Sequence, residues 1–155
     1  MRMQLLRKVA SFGASKKDLK EIYILFIRSI LEQSAVVWSS SLTCQNKIDL
    51  ERIQKSALRI ILGNEYGNYT NALNKLDLQT LEERRDILCL NFAKKCTKND
   101  RFKKIFPLNE SKHEMITRNK ETYKVEHAKS ERLKKSAVIH MQNLLNIEEA
   151  RMSKS

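Results

Sequence analysis

Along most of the chain, apolar side chains return every three or four residues, the spacing that gathers them on one face of an α-helix. Over residues 3 to 11, Leu5, Leu6 and Val9 share such a face, and Gly13 marks the stop. Ser15 followed by Asp18 reads as a capping box, and behind it Leu19, Ile22, Tyr23, Phe26 and Ile30 recur at helical spacing. Ile24, Leu25 and Ile27 fill the opposite side, so this second helix is expected to be covered around most of its circumference and to form the centre of the fold. Ala35 to Trp38 either extends it or makes a short buried connector, and the serines at 39 to 41 break the pattern. Thr43 caps a third helix carrying Leu50, Ile53, Ala57 and Ile61 on one stripe, stopped by Gly63 at its C′ position.

Residues 64 to 68 form a loop that leads into a brief turn of helix around Ala72 to Leu76. Thr80 with Glu83 is a further capping box, opening a fourth long helix to about Lys98 on which Leu81, Leu88 and Phe92 define the apolar face, widened by Ile87 and Leu90. After Asn99 the pattern weakens. Phe102, Ile105, Phe106, Pro107 and Leu108 make a small apolar knot expected to pack back on the helices, with Pro107 disfavouring helix at Phe106. Residues 109 to 132 read as a loosely ordered basic connector, and Val138, Met141 and Leu145 predict a short last helix over residues 136 to 145. Three regions follow: residues 1–63, residues 64–108, and a basic, partly disordered tail over 109–155. Three glycines and one proline in 155 residues leave few of the turns that an all-β fold consumes, so the expected class is all-α.

Charge adds the first functional constraint. Thirty basic and 18 acidic side chains leave a formal net charge of +12, which favours an anionic partner such as nucleic acid, because each cation that neutralises a phosphate releases condensed counterions. The surplus sits toward both ends of the chain, with a nearly neutral middle over residues 64 to 98. Apolar runs such as Tyr23 to Ile27 are interrupted by charge long before a bilayer would be crossed, so no membrane partner is expected. Cys44, Cys89 and Cys96 are an odd number without a hydrophobic signal segment, which reads as reduced intracellular thiols, not a disulfide framework. The opening stretch Met1 to Lys17 is basic and has no acid before Asp18, a composition compatible with a mitochondrial transit peptide, but it runs into the next helix without a break.

Little chemistry is written in the chain. Glycines at 13, 63 and 67 assemble neither a dinucleotide fingerprint nor a Walker-type loop. The adjacent acids Glu82 with Glu83 and Glu148 with Glu149 point in different directions on a helix, which suits dipole partners better than two-metal chemistry. Cys89 and Cys96 share a helix face, yet with His113 and His127 they match no usual zinc spacing; buried small hydrophobes are the expected role, and His113, His127 and His140 are expected at the surface. Neither a metal nor another cofactor is expected. Tyr23, Phe26 and Trp38 sit in apolar patterns that suggest core packing over base stacking.

The basic residues are the stronger candidates. Lys94, Lys95 and Lys98 lie near a helix end, where cations suit the macrodipole without any ligand. Lys16, Lys17 and Lys20 instead cluster at a helix start, against its dipole, an arrangement that a nearby phosphate explains and that a solvated surface also tolerates. Arg84 and Arg85 lie in the first turns of another helix.

The run Leu50-Glu51-Arg52-Ile53-Gln54-Lys55-Ser56-Ala57-Leu58-Arg59-Ile60-Ile61-Leu62-Gly63 resembles the segment downstream of the palm in reverse transcriptases of non-LTR, LINE-type retrotransposons. Phe26-Ile27-Arg28 through Trp38 is similar to the helix preceding it in that family, and Leu78 to Arg85 to the one that follows. Arg118-Asn119-Lys120 to Tyr123, with residues 136 to 145, resembles the post-thumb extension, so the resemblance covers nearly the whole chain. The chain departs from the family pattern where Pro would be expected near Ser29 and Gln79, Tyr near Gln33 and an aromatic near His127, as in a diverged copy.

The resemblance implies a three-helix thumb-like bundle, and a thumb clamps the template and primer duplex. The fingers and the palm, with its metal-binding aspartates, have no counterpart here, so the parent RNA-directed DNA polymerase activity is not expected of this chain on its own. Lys16, Lys17, Lys20, Arg84 and Arg85 are then the expected contacts to the duplex backbone, with base pairing carrying the sequence information. Two other readings stand beside it. One is an independent helical protein-interaction module docking through the apolar faces of residues 19 to 38 and 50 to 61; the other is an inert remnant of a mobile element.

Overall fold

The computed structural model describes residues 2–109 and 122–152, so Arg118, Asn119, Lys120 and His113 lie outside the described residues. The described chain is all-α, about 74% helical, in eight helices. They are α1 (Arg2–Ser11), α2 (Lys16–Leu31), α3 (Ala35–Trp38), α4 (Cys44–Leu62), α5 (Tyr69–Leu76), α6 (Leu81–Thr97), α7 (Glu131–Lys134) and α8 (Ala137–Met152). The segments group into two compact units, Met1–Ala35 with Leu42–Arg84, and Val36–Ser41 with Arg85–Ser155. Along the chain the unit changes after Ala35, Ser41 and Arg84.

Local signals set most helix ends of the first unit. The Ser15 hydroxyl accepts from the Asp18 N–H at 3.2 Å and donates to its carboxylate at 2.7 Å. Thr43 accepts from the Asn46 N–H at 3.1 Å, and Asn68 from the Asn71 N–H at 2.8 Å. Gly63 takes φ +52°, which a side chain would strain, and releases the chain from α4. The core joins Leu6 of α1, Leu19, Tyr23 and Ile27 of α2, Ala57, Leu58, Ile61 and Leu62 of α4, and Ala72, Leu73 and Leu76 of α5.

Two expectations about α2 change. Its middle, Tyr23–Arg28, is a π-helix in which the Ser29 N–H reaches back to the Ile24 carbonyl. The widened turn aligns Leu19, Tyr23 and Ile27 at four-residue steps, so Ile27 takes the buried place expected of Phe26. Phe26, Leu25 and Ile30 are then 50%, 65% and 40% exposed, and the helix is not sheathed on all sides. The Phe26 carbonyl accepts from Arg2 at 2.7 Å. α3 does not continue α2: a turn with Ser34 at φ +53° separates them.

At the centre of this unit lies a polar chain. Gln54 is fully buried; its carbonyl accepts from the Tyr23 hydroxyl, and its amide donates to the Tyr69 hydroxyl and the Gln79 carbonyl, both at 2.9 Å. Tyr69 in turn donates to the Glu51 carboxylate, whose other oxygen accepts the Glu82 N–H at 3.1 Å. Every hydrogen-bonding group of the Gln54 amide is thereby used, as burial requires.

In the second unit, Cys89, Ala93 and Cys96 of α6 pack with Phe106 and with Met141 and Leu145 of α8. The buried line on α6 is Leu81, Arg85, Cys89, Ala93 and Cys96, one position round from the expected Leu88 and Phe92, and Phe92 is exposed. The buried positions thus hold small Cys and Ala side chains, not the larger Leu and Phe. α8 runs to Met152, beyond the expected end at residue 145, and buries Ile139 and Gln142 alongside Met141 and Leu145. Of the apolar knot only Phe106 is buried; Phe102, Ile105 and Leu108 are exposed.

Asn146 and Gln142, one turn apart on α8, fasten the irregular segments. Asn146 accepts from the Tyr123 N–H at 2.8 Å and donates to its carbonyl at 3.0 Å, while Gln142 donates to the Ile105 carbonyl at 2.9 Å. Leu108 and Tyr123 form an antiparallel bridge, giving part of the expected loose tail a defined backbone.

Candidate nucleic-acid interface

Lys16, Lys17 and Lys20 occupy the first turns of α2 in the first unit. Lys16 pairs with Glu65, whose carboxyl it holds below the usual carboxylate range by hydrogen bond and charge. Glu65 thus answers part of the electrostatic tension expected where cations face a helix N-terminus. Lys17 is exposed and Lys20 half-buried.

Arg84 is committed elsewhere. Its Nε and Nη2 donate to the two oxygens of Glu32 at 3.0 Å each, a bidentate fork within the first unit. Glu32, largely buried, also lies 3.6 Å from Arg28 one turn back on α2. The Glu32 hydrogen bond raises the Arg84 pKa further, and the pair ties the start of α6 to the end of α2.

Arg85, the next residue, turns about a quarter-circle away and belongs to the second unit. It is 2% exposed, and neither terminal amino group has a hydrogen-bond partner among the described residues. A phosphate at the surface has no access to such a group, so the two arginines do not act as one exposed pair beside the lysines.

Cys89, one turn after Arg85, meets the Ser39 hydroxyl at 3.3 Å, and burial pushes its thiol pKa up against the opposing effect of that hydrogen bond. Cys96 is shifted the same way by burial, as expected of thiols acting as small hydrophobes. His140 is not isolated: its Nε2 lies 3.2 Å from Asp86. No group of three His, Cys, Asp or Glu residues fit to hold a metal occurs among the described residues. No single helix there is long and apolar enough to cross a membrane.

A second group of cations extends beyond Lys95 and Lys98, which the helix dipole explains, into the turn that follows α6. Lys95, Lys98, Arg101, Lys103 and Lys104 are all exposed in the second unit, while Lys94 is drawn to Glu148 at 2.8 Å. On α4, Lys55 and Arg59 stack instead over the rings of Tyr69 and Tyr66, at 5.0 and 5.2 Å. No family model, curated protein or solved structure matches the chain.

Proposed function

We propose that the chain is a non-catalytic helical module that grips the backbone of a template and primer duplex, a thumb-type fragment of a non-LTR retrotransposon reverse transcriptase. The observation that carries the reading is the cationic surface at the start of α2, where Lys17 stands against the helix dipole and neither Lys17 nor Lys20 has, among the described residues, a carboxylate pair like that of Lys16. Arg84 serves as a brace through Glu32, leaving Lys16, Lys17 and Lys20 as the phosphate contacts. The net charge of +12 favours the same partner at longer range.

The test is binding of the full chain to a mixed-sequence RNA–DNA duplex, followed by fluorescence anisotropy over a salt series. Log affinity is expected to fall linearly with log salt, by about 0.9 for each phosphate neutralised. The double variant Lys17→Glu with Lys20→Glu should weaken binding and flatten that slope. Salt-independent affinity, or full affinity in the double variant, would overturn the reading.

One observation favours a protein-docking role instead. Leu25, Phe26 and Ile30 of α2 expose apolar surface in the first unit, and Phe12 is 86% exposed. A salt-indifferent association abolished by Phe26→Ser would select that alternative.

A further inference from the structure

In the second unit, the chain leaves α6 through a tight double turn organised by Asn99. Its carbonyl accepts the Phe102 and Lys103 N–H groups at 2.9 and 3.0 Å, and its side-chain oxygen accepts the Arg101 N–H at 3.0 Å. Its own N–H returns to the Cys96 carbonyl at 3.1 Å. A 3₁₀ turn, Lys103–Ile105, follows and ends on Phe106, which is buried in the core, while Gln142 holds the Ile105 carbonyl.

This anchored loop carries Lys98, Arg101, Lys103 and Lys104, with Lys95 one turn earlier, all exposed. Asp100 is the only acid in the stretch from 95 to 105. None of the five cations has a carboxylate partner among the described residues. Phe102, 43% exposed, sits in their midst.

Solvation alone explains exposed lysines; a partly exposed phenyl ring among them, on a turn pinned by Asn99 and Gln142, adds an aromatic face to the charges. A ring flanked by cations is the arrangement that receives a base on its face and phosphates on either side. Base pairing and stacking close that face in a duplex, so the ring distinguishes single strands from double ones. We propose that the 95–105 turn is a binding site for single-stranded nucleic acid, with Phe102 as the stacking platform and Lys98, Arg101, Lys103 and Lys104 as phosphate contacts. It rests on the reading of the chain as a nucleic-acid-contacting module but uses residues separate from Lys16, Lys17 and Lys20. An acidic peptide would use the charges and leave the ring idle.

The test uses the full chain with a short mixed-sequence labelled oligonucleotide, single-stranded and as the matching duplex, across a salt series. Phe102→Ala is expected to weaken single-strand binding roughly tenfold while sparing the duplex. Lys98→Ala with Lys104→Ala should reduce the single-strand salt slope by about 1.4. Circular dichroism of each variant controls for folding; Phe102→Leu, which keeps bulk without an aromatic face, should behave as Phe102→Ala does.

Unchanged single-strand affinity in Phe102→Ala, or equal losses on both ligands, would overturn the site. Duplex binding that depends on Lys17 and Lys20 would survive that failure. Conversely, loss of the duplex reading would leave a Phe102-dependent single-strand affinity standing. An acidic peptide that competes while Phe102→Ala is silent would assign the cations to a protein partner and refute the proposal.

Discussion

Replacing Gln54 by Met removes the hub of the buried chain that runs from Tyr23 to Glu51 while nearly preserving volume. Two groups then lose their partners: the Tyr23 hydroxyl and the Gln79 carbonyl. Tyr69 keeps its bond to Glu51 and loses only a donor. Of the two orphaned groups, the Tyr23 hydroxyl is deeply buried and its loss of a partner costs about 1–3 kcal/mol, whereas Gln79 is an exposed residue, so Gln54→Met should destabilise the protein by about 1–3 kcal/mol, with little contribution from a cavity. For a unit of this size each kcal/mol lost lowers Tm by roughly 4–8 °C. Urea unfolding, followed by circular dichroism, measures the loss. Adding Tyr23→Phe to Gln54→Met should recover about 1–2 kcal/mol, because it removes one orphan with the hub already gone. Gln54→Met within about 0.5 kcal/mol of the parent protein would show that the hydrogen bonds of Gln54 do not support the fold.

The remaining predictions concern single features. Gly63→Ala should cost about 1–2 kcal/mol through backbone strain alone, since no atom lies within 4 Å of the added Cβ; a thermal melt reads it. Arg85→Met should stabilise the protein by about 1–3 kcal/mol, because it removes two buried amino groups that have no hydrogen-bond partner among the described residues and keeps the aliphatic stem; a lowered urea midpoint would contradict this. In native alkylation followed by mass spectrometry, exposed Cys44 should react first and Cys89 and Cys96 only slowly. Stability should also decline with alkali. Burial raises the pKa of the Cys89 and Cys96 thiols and of the Tyr23 phenol; for Tyr69, burial and the bond to Glu51 act together. The folded state therefore holds these protons longer than the unfolded one, so their stabilisation is full at neutral pH and fades above about pH 8.5, then further above about 10. Urea midpoints across that range test it, and Tyr23→Phe should flatten the upper part.

Helix class and most helix starts are legible in the sequence because they depend on short-range chemistry. Ser15, Thr43 and Thr80 each cap the helix that follows them, and Gly13 and Gly63 take positive φ. The faces are less legible. A π-turn inside Tyr23–Arg28 leaves no mark in a periodicity argument, which therefore assigns to Phe26 the core position that Ile27 fills. On α6, hydrophobicity points to Leu88 and Phe92, whereas the face that packs with Phe106, Met141 and Leu145 carries Cys89 and Ala93, a choice made by residues distant in sequence. The ends of the candidate site have the same fate. Glu32 lies 52 positions from Arg84, and nothing local announces their pairing. For the 95–105 turn a signal is present, Phe102 interleaved among cations, but the helix dipole already explains the first of those charges.

The order in which the chain visits its two units has a practical consequence. Val36–Ser41 belongs with Arg85–Ser155, yet lies between segments of the other unit. A truncated chain beginning at residue 85 would lack Ser39, and the Cys89 thiol would face a gap where that hydroxyl belongs. A single backbone cut between 42 and 84 likewise releases neither unit whole, since each product retains a piece of the other. Limited proteolysis or truncation is therefore a poor means of assigning binding to one half; point substitutions at Lys17, Lys20 and Phe102 leave the polypeptide's braided connectivity intact.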